Sequence, residues 1–124
     1  MKKGLLILLV AVLAVASSCS KDAKINRRLD GEWQVVTIGG LLPEFGWWYT
    51  FKFIKEDKLT GKGTRRDKYF DSINIPSTFT YSVLDQKTTL VFDGTAEIWL
   101  VTKIEKNRME MVDSDGDVWV LDPK

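Results

Sequence analysis

Between residues 32 and 121, apolar and polar side chains alternate with a period of two, broken at short intervals by turn-forming residues. This is the pattern of half-buried β-strands. The clearest stretch is 47–55, where Trp47, Tyr49, Phe51 and Phe53 share one face and Trp48, Thr50, Lys52 and Ile54 the other. Residues 32–38 make an earlier strand, closed by Gly39-Gly40, and further strands are expected at 77–84, 88–92, 95–106, 108–112 and 117–121. Asp93-Gly94, Lys106-Asn107 and Asp115-Gly116 fall where tight turns belong, and the two Asp-Gly pairs suit type I′ geometry. Residues 55–68 are charged and contain glycine, so they read as an exposed hairpin or loop.

Seven or eight strands joined mainly by hairpins, with no amphipathic helix of ordinary length, define an all-β protein. The expected architecture is a small antiparallel up-and-down β-barrel, with a β-sandwich as the alternative. Closing the sheet removes exposed edges. The alternation assigns the interior to Trp33, Val35, Tyr49, Phe51, Phe53, Phe79, Tyr81, Leu90, Phe92, Ile98 and Leu100.

The first residues follow a different pattern. Lys2 and Lys3 precede an apolar or small run from Gly4 to Ala16, and Ala16-Ser17-Ser18 supplies small residues for a peptidase cleft. The run is shorter than the roughly 20 residues a membrane-spanning helix needs, so it reads as a cleaved signal peptide. Val15-Ala16-Ser17-Ser18-Cys19 resembles the lipobox of bacterial lipoproteins, with Ala16 where leucine is usual. The resemblance implies cleavage after Ser18, a thioether-linked diacylglycerol on Cys19, and acylation (palmitate chemistry) of the new amino group. Several chains, each burying methylenes at about 0.8 kcal/mol per CH₂, hold a protein on a membrane durably. The alternative is an ordinary secretory signal followed by an incidental cysteine. The expected organisation is a leader at 1–18, a lipidated cysteine and tether at 19–28, and the barrel at 29–124. Within the tether, 20–24 is polar and 25–29 makes one helical turn. Ser20 in place of aspartate after the cysteine favours the outer membrane by the same resemblance, with periplasmic and surface display both open.

Charge narrows the classes of partner. Lys2 and Lys3 belong to the leader, so 16 of the 18 basic side chains remain against 17 acidic ones. A near-neutral domain lacks the basic excess of a nucleic-acid binder. The chain has no histidine, which excludes Ser-His-Asp and Cys-His catalysis and His-based zinc sites. Its one cysteine lies at the anchor position. No catalytic residues and no cofactor are assigned, and the protein is not expected to be an enzyme. A carboxylate-based hydrolase, the remote alternative, needs two carboxylates facing one cleft.

Four groups of residues are candidates for function. Asp113, Asp115 and Asp117 alternate as hard oxygen ligands for Ca²⁺ do. The EF-hand positions for Gly and Glu hold Val118 and Lys124 instead, so a solvated hairpin turn accounts for the cluster. Lys58, Lys62, Arg65, Arg66 and Lys68 make a basic stretch, either a contact for acidic glycans or lipid headgroups or a charged loop guarding a sheet edge. Trp47 and Trp48 are neighbours, so one faces in and the other out. Trp99, out of phase with Ile98 and Leu100, is expected outside. An outward tryptophan serves sugar rings or a partner protein, or lies beneath a loop.

Leu29-Asp30-Gly31-Glu32-Trp33-Gln34-Val35 resembles the Gly-x-Trp opening of lipocalin-like proteins, a plan shared by small lipid-anchored bacterial lipoproteins. It implies a turn before the first strand and a tryptophan closing one end of a barrel that spans 29–122. It also implies a late arginine stacked on that tryptophan, a role open to Arg108. The sequence departs from the full family in lacking a Thr-Asp-Tyr element, and it is shorter. The expected function is therefore a lipid-anchored cell-envelope module with a filled core that binds a protein or a glycan non-covalently. A small apolar ligand is the alternative. Trp47, Trp48, Trp99, Arg65 and Arg66 are the candidate contacts.

Overall fold

A computed structural model describes residues 21–124. The leader expected at 1–18 and the lipidation expected at Cys19 lie outside the described residues. Eight strands follow one another: β1 (Gly31–Ile38), β2 (Trp47–Lys55), β3 (Thr60–Tyr69), β4 (Ile73–Leu84), β5 (Lys87–Phe92), β6 (Ile98–Ile104), β7 (Met109–Val112) and β8 (Val118–Pro123). Each pairs antiparallel with its sequence neighbour, and β1 pairs with β8, so the sheet closes into an up-and-down barrel. That closure excludes the sandwich.

Strand β3 replaces the exposed loop expected across 55–68; only residues 56–59 turn. The alternation was present there in an unfamiliar form. Gly61, Gly63, Arg65, Asp67 and Tyr69 face inwards, and Lys62, Arg66 and Lys68 are exposed. Glycine stands at the inward positions because the cross-strand rings need the space. A Cβ on Gly61 would collide with Tyr81, and one on Gly63 with Phe79 and the Lys52 carbonyl. The small residues are thus the complement of the large ones, as close packing requires.

The phase of β6 is also reversed from the expectation. Trp99 is 2 % exposed and lies inside, whereas Ile98 (54 %) and Leu100 (47 %) face solvent. Both sets of alternate positions are apolar here, so period two alone has no preference, and the larger ring takes the interior. The rest of the assigned interior is buried, with Tyr49 half-buried near one mouth. Met109, Met111, Trp119 and Leu121 complete it.

The stretch 21–28 is a helix and not a tether. Helix α1 (residues 21–29) lies across one end of the barrel. Asp22, Ile25, Asn26 and Leu29 fall on one helical stripe and turn towards the barrel; Ile25 is partly covered and the other three are buried. Two of the four are polar, which hid the stripe from a hydropathy reading. Each has a specific partner. Asn26 donates to the carbonyls of Asp57 (2.9 Å) and Thr60 (3.3 Å) and accepts from the Tyr81 hydroxyl (2.7 Å). Asp22 accepts from the Gln86 amide at 2.7 Å. That amide sits in a two-residue turn, with Asp85 and Gln86 both at positive φ (51° and 63°) as a type I′ hairpin requires. The Asp-Gly pairs do not adopt this geometry, since only Gly94 and Gly116 of each pair have positive φ, inside five-residue connections.

Trp33 closes this end from within, its indole donating to the Leu29 carbonyl at 2.9 Å. Arg108 does not stack on it; the guanidinium forms a two-pronged pair with Asp122 (2.9 and 3.2 Å) on the exposed surface.

Burial of Tyr81 pushes its phenol well above the ordinary range, with the nearby negative charges of Asp30 and Glu56 adding to the shift. Tyr49 is raised too, by burial and then by Asp67. A raised phenol keeps its proton in the folded state while the unfolded chain loses it near pH 10. Stability is therefore expected to be flat to about pH 10 and to fall above it, by up to about 1.4 kcal/mol per pH unit for each such group. Urea unfolding between pH 8 and 12 checks this, and a flat profile through pH 11 would refute it.

Candidate functional site

With α1 across one end, the loops at 39–46, 70–72, 93–97 and 113–117 gather at the other. Two different surfaces form there, one inside the mouth and one on the adjoining outer wall.

Inside the mouth, the arginine of β3 is surrounded by aromatic rings. The Arg65 guanidinium carbon lies 4.9 Å from the Trp119 ring centroid, 5.3 Å from Trp99, 5.9 Å from Tyr49 and 6.0 Å from Phe51. Both oxygens of Asp67 accept from it, at 2.8 and 2.9 Å. The cation meets the negative faces of the rings, and the carboxylate neutralises it. Beneath it the aromatic stack continues through Phe51, Phe79, Phe92 and Phe53, with centroid separations of 5.2–6.2 Å. These buried rings pack against one another in the barrel interior below Arg65. The Trp99 Nε1 is buried there without a hydrogen-bond acceptor among the described residues.

Removing this stopper has a defined consequence. Arg65→Ala leaves Asp67 without its cation and the four rings without their filler. Because both members of the pair keep 20 % of their side-chain surface exposed, the expected loss is about 2 kcal/mol, below the range for a fully buried pair. The emptied mouth should also take up an apolar fluorophore that the wild-type protein refuses. Uptake by the wild type itself would contradict a crowded mouth.

On the outer wall, the β1–β2 connection begins with a tight turn in which Gly39 and Gly40 both have positive φ (59° and 81°). It then projects Leu41 (74 % exposed), Leu42 (78 %) and Phe45 (91 %) into solvent. Phe70, at positive φ (46°) in the β3–β4 turn, reaches across to this loop. Its ring lies 5.6 Å from Phe45 and 6.1 Å from Trp48, and Gly46 is bare because any Cβ would strike it. A bulky residue in the left-handed region costs on the order of 1–3 kcal/mol, and here the strained backbone aims the ring. Trp48 faces outwards as the alternation predicts, 46 % exposed. Next to it runs a groove of about 450 Å³ lined by Gln34, Thr50, Arg66, Lys68, Phe70, Asp71, Asn74 and Lys124 as well as the tryptophan.

The candidate residues are therefore divided. Trp48 and Arg66 share the outer groove. Arg65 and Trp99 meet inside, so neither belongs to an exposed basic loop or an outer aromatic patch. Trp47 lies at the mouth, half-buried, beside Tyr49 (6.1 Å) and Tyr69 (5.1 Å). Asp113, Asp115 and Asp117 lie in the β7–β8 turn. There the Asp113 carboxylate accepts from the amides of Asp115 (3.0 Å) and Asp117 (2.9 Å) and from the indole of Trp119 (2.9 Å). No group of three side chains is arranged to hold a metal among the described residues. Nothing in the sequence pattern marks Leu41, Leu42, Phe45 and Phe70 as a site, because apolar residues in turns between strands follow no period.

No family model, curated protein or solved structure matches this chain.

Proposed function

We propose that the protein is a cell-envelope binding module, lipid-anchored through Cys19, which recognises a protein or a glycan non-covalently with its outer surface. The observation that supports this reading is the crowding inside the barrel mouth, where Arg65 lies among Trp99, Trp119, Tyr49 and Phe51. Exposed aliphatic side chains such as Leu84, Ile98 and Leu100 are spread over the barrel, but the exposed aromatic ones, Phe45, Trp48 and Phe70, meet on one rim, with Leu41 and Leu42 exposed in the same loop as Phe45. Contiguous exposed apolar residues on an otherwise soluble surface mark interaction sites, and aromatic anchors of this kind carry most of the energy in protein contacts. The arrangement also suits an anchored protein. Helix α1, the described segment next to Cys19 in sequence, packs against the β2–β3 and β4–β5 turns, and the apolar rim is at the opposite end.

The test is crosslinking in intact cells with a photoreactive residue at position 45, in the wild-type background and with Leu42→Ser. A discrete adduct at position 45, absent when the photoreactive group is moved to position 103 and reduced severalfold by Leu42→Ser, is expected. Equal labelling from both positions would remove the rim as a recognition surface. The anchor is tested separately. Cys19→Ser should leave the precursor unprocessed or release the protein, and retention of processed protein on the membrane would sink that part.

A further inference from the structure

The outer wall beside the rim has a charge that the molecule as a whole lacks. Lys52 on β2 and Lys62, Arg66 and Lys68 on β3 project from adjacent outward positions, in register as Lys52↔Thr64, Ile54↔Lys62, Thr50↔Arg66 and Trp48↔Lys68. Lys124 joins them from the end of the chain. Among the described residues, two carboxylates pair with these five cations. Glu32 lies 3.7 Å from Lys124, and Asp71, itself fully exposed, lies 3.4 Å from Lys68. Arg66 makes no ion pair among the described residues; its nearest polar partner is the Asn74 amide oxygen at 3.5 Å. Five of the 17 acidic residues, Asp93, Glu97, Asp113, Asp115 and Asp117, lie away from this wall in the β5–β6 and β7–β8 connections. A chain of nearly balanced charge thus presents one positive wall, which draws anionic ligands to it.

The wall also carries a platform. Trp48 is half exposed at the head of the groove, and Phe70 meets it at 86° instead of stacking on it. The C–H groups on one face of a sugar ring carry partial positive charge and suit the negative face of an indole. Guanidinium and ammonium groups a short way down the same wall suit carboxylate or sulfate substituents. Gln34, Thr50 and Asn74 add amide and hydroxyl partners for sugar hydroxyls. The groove, at about 450 Å³, falls within the usual size range of ligand sites.

We propose that this groove binds an acidic glycan, with a sugar ring on Trp48 and its anionic groups on Arg66, Lys68 and Lys124. The proposal rests on the reading of the protein as a binding module and names the ligand class of one face. A single platform next to a short cationic run favours an oligosaccharide over a nucleic acid, whose backbone needs a longer basic track.

Calorimetry on the full-length chain in a neutral detergent tests it. The probes are an oligogalacturonate tetramer, neutral maltotetraose and a short single-stranded DNA. The acidic tetramer is expected to bind at least about tenfold more tightly than the neutral one. Trp48→Ala and Arg66→Glu should each weaken it by about tenfold or more while leaving thermal unfolding unchanged, since both side chains are exposed. Lys103→Glu, on β6 across the barrel, should have no effect. Absence of binding by the acidic tetramer overturns the proposal, as does wild-type affinity in Trp48→Ala. DNA bound as tightly as the tetramer, with the same response to the variants, would show a general polyanion face and overturn it equally. If position 45 still crosslinks specifically while the titrations are silent, the glycan assignment alone fails; if both are silent, the module reading fails with it.

Discussion

Asn26→Leu is expected to destabilise the protein by about 3 kcal/mol, although leucine fills nearly the same volume and the site is wholly buried. The reason is what the substitution leaves behind. The Tyr81 hydroxyl loses its acceptor in the buried interior and the partly exposed Asp57 carbonyl loses its donor; a buried orphan costs about 1–3 kcal/mol and a partly exposed one less. The Thr60 carbonyl is spared because it still accepts from the amides of Glu56 (3.1 Å) and Asp57 (3.3 Å). A second substitution separates this account from simple mispacking. Adding Tyr81→Phe to Asn26→Leu removes the orphaned hydroxyl and should regain about 1 kcal/mol, whereas Tyr81→Phe alone should cost a similar amount. Urea unfolding of the four proteins completes the cycle. If the two losses simply add, the hydrogen bond is not what docks α1.

Gly63→Ala should cost about 3 kcal/mol, at the upper end for overpacking by a single methyl group. The added Cβ would meet the Phe79 ring on one side and the Lys52 carbonyl on the other. The ring can rotate, but the carbonyl is fixed in the ladder between β2 and β3, so relief needs movement of the strand itself. Gly94 is the control. It has open space around its Cβ position and is constrained only by its positive φ of 84°, so Gly94→Ala should cost about 1 kcal/mol. Comparable losses at the two positions would show that backbone conformation, and not the inward packing of β3, decides where glycine is needed.

These two sites also explain what was hard to read in the chain. Strand β2 was legible because large rings alternate with smaller or polar residues, and the same alternation correctly turned Trp48 outwards. Strand β3 obeys the same period, yet its inward positions hold two glycines and the Arg65–Asp67 pair. Hydropathy scores such positions as surface, although here they face a core crowded by Phe79 and Tyr81. Helix α1 was obscured in the same way, because Asp22 and Asn26 occupy its buried stripe and their burial makes sense only once Gln86, Asp57 and Tyr81 are in place to bond them. The candidate site shared this fate. Arg65 and Arg66 are adjacent in sequence, and successive residues on a strand face opposite sides. One fills the barrel and the other lines the outer groove.

The sequence by itself determined that the described chain is built mainly of β-strands, that most of them join by hairpins, and that β2 is amphipathic with Trp48 outside. Those features depend on local propensity and on a period of two within a single segment. Tertiary structure alone decided the closure of β1 onto β8, the inward phase of Trp99, the burial of Arg65 among four rings, and the docking of α1 as a plug. Each of these depends on the volume and the hydrogen-bonding groups that distant strands leave at one point in space, and neighbouring residues along the chain carry no record of that.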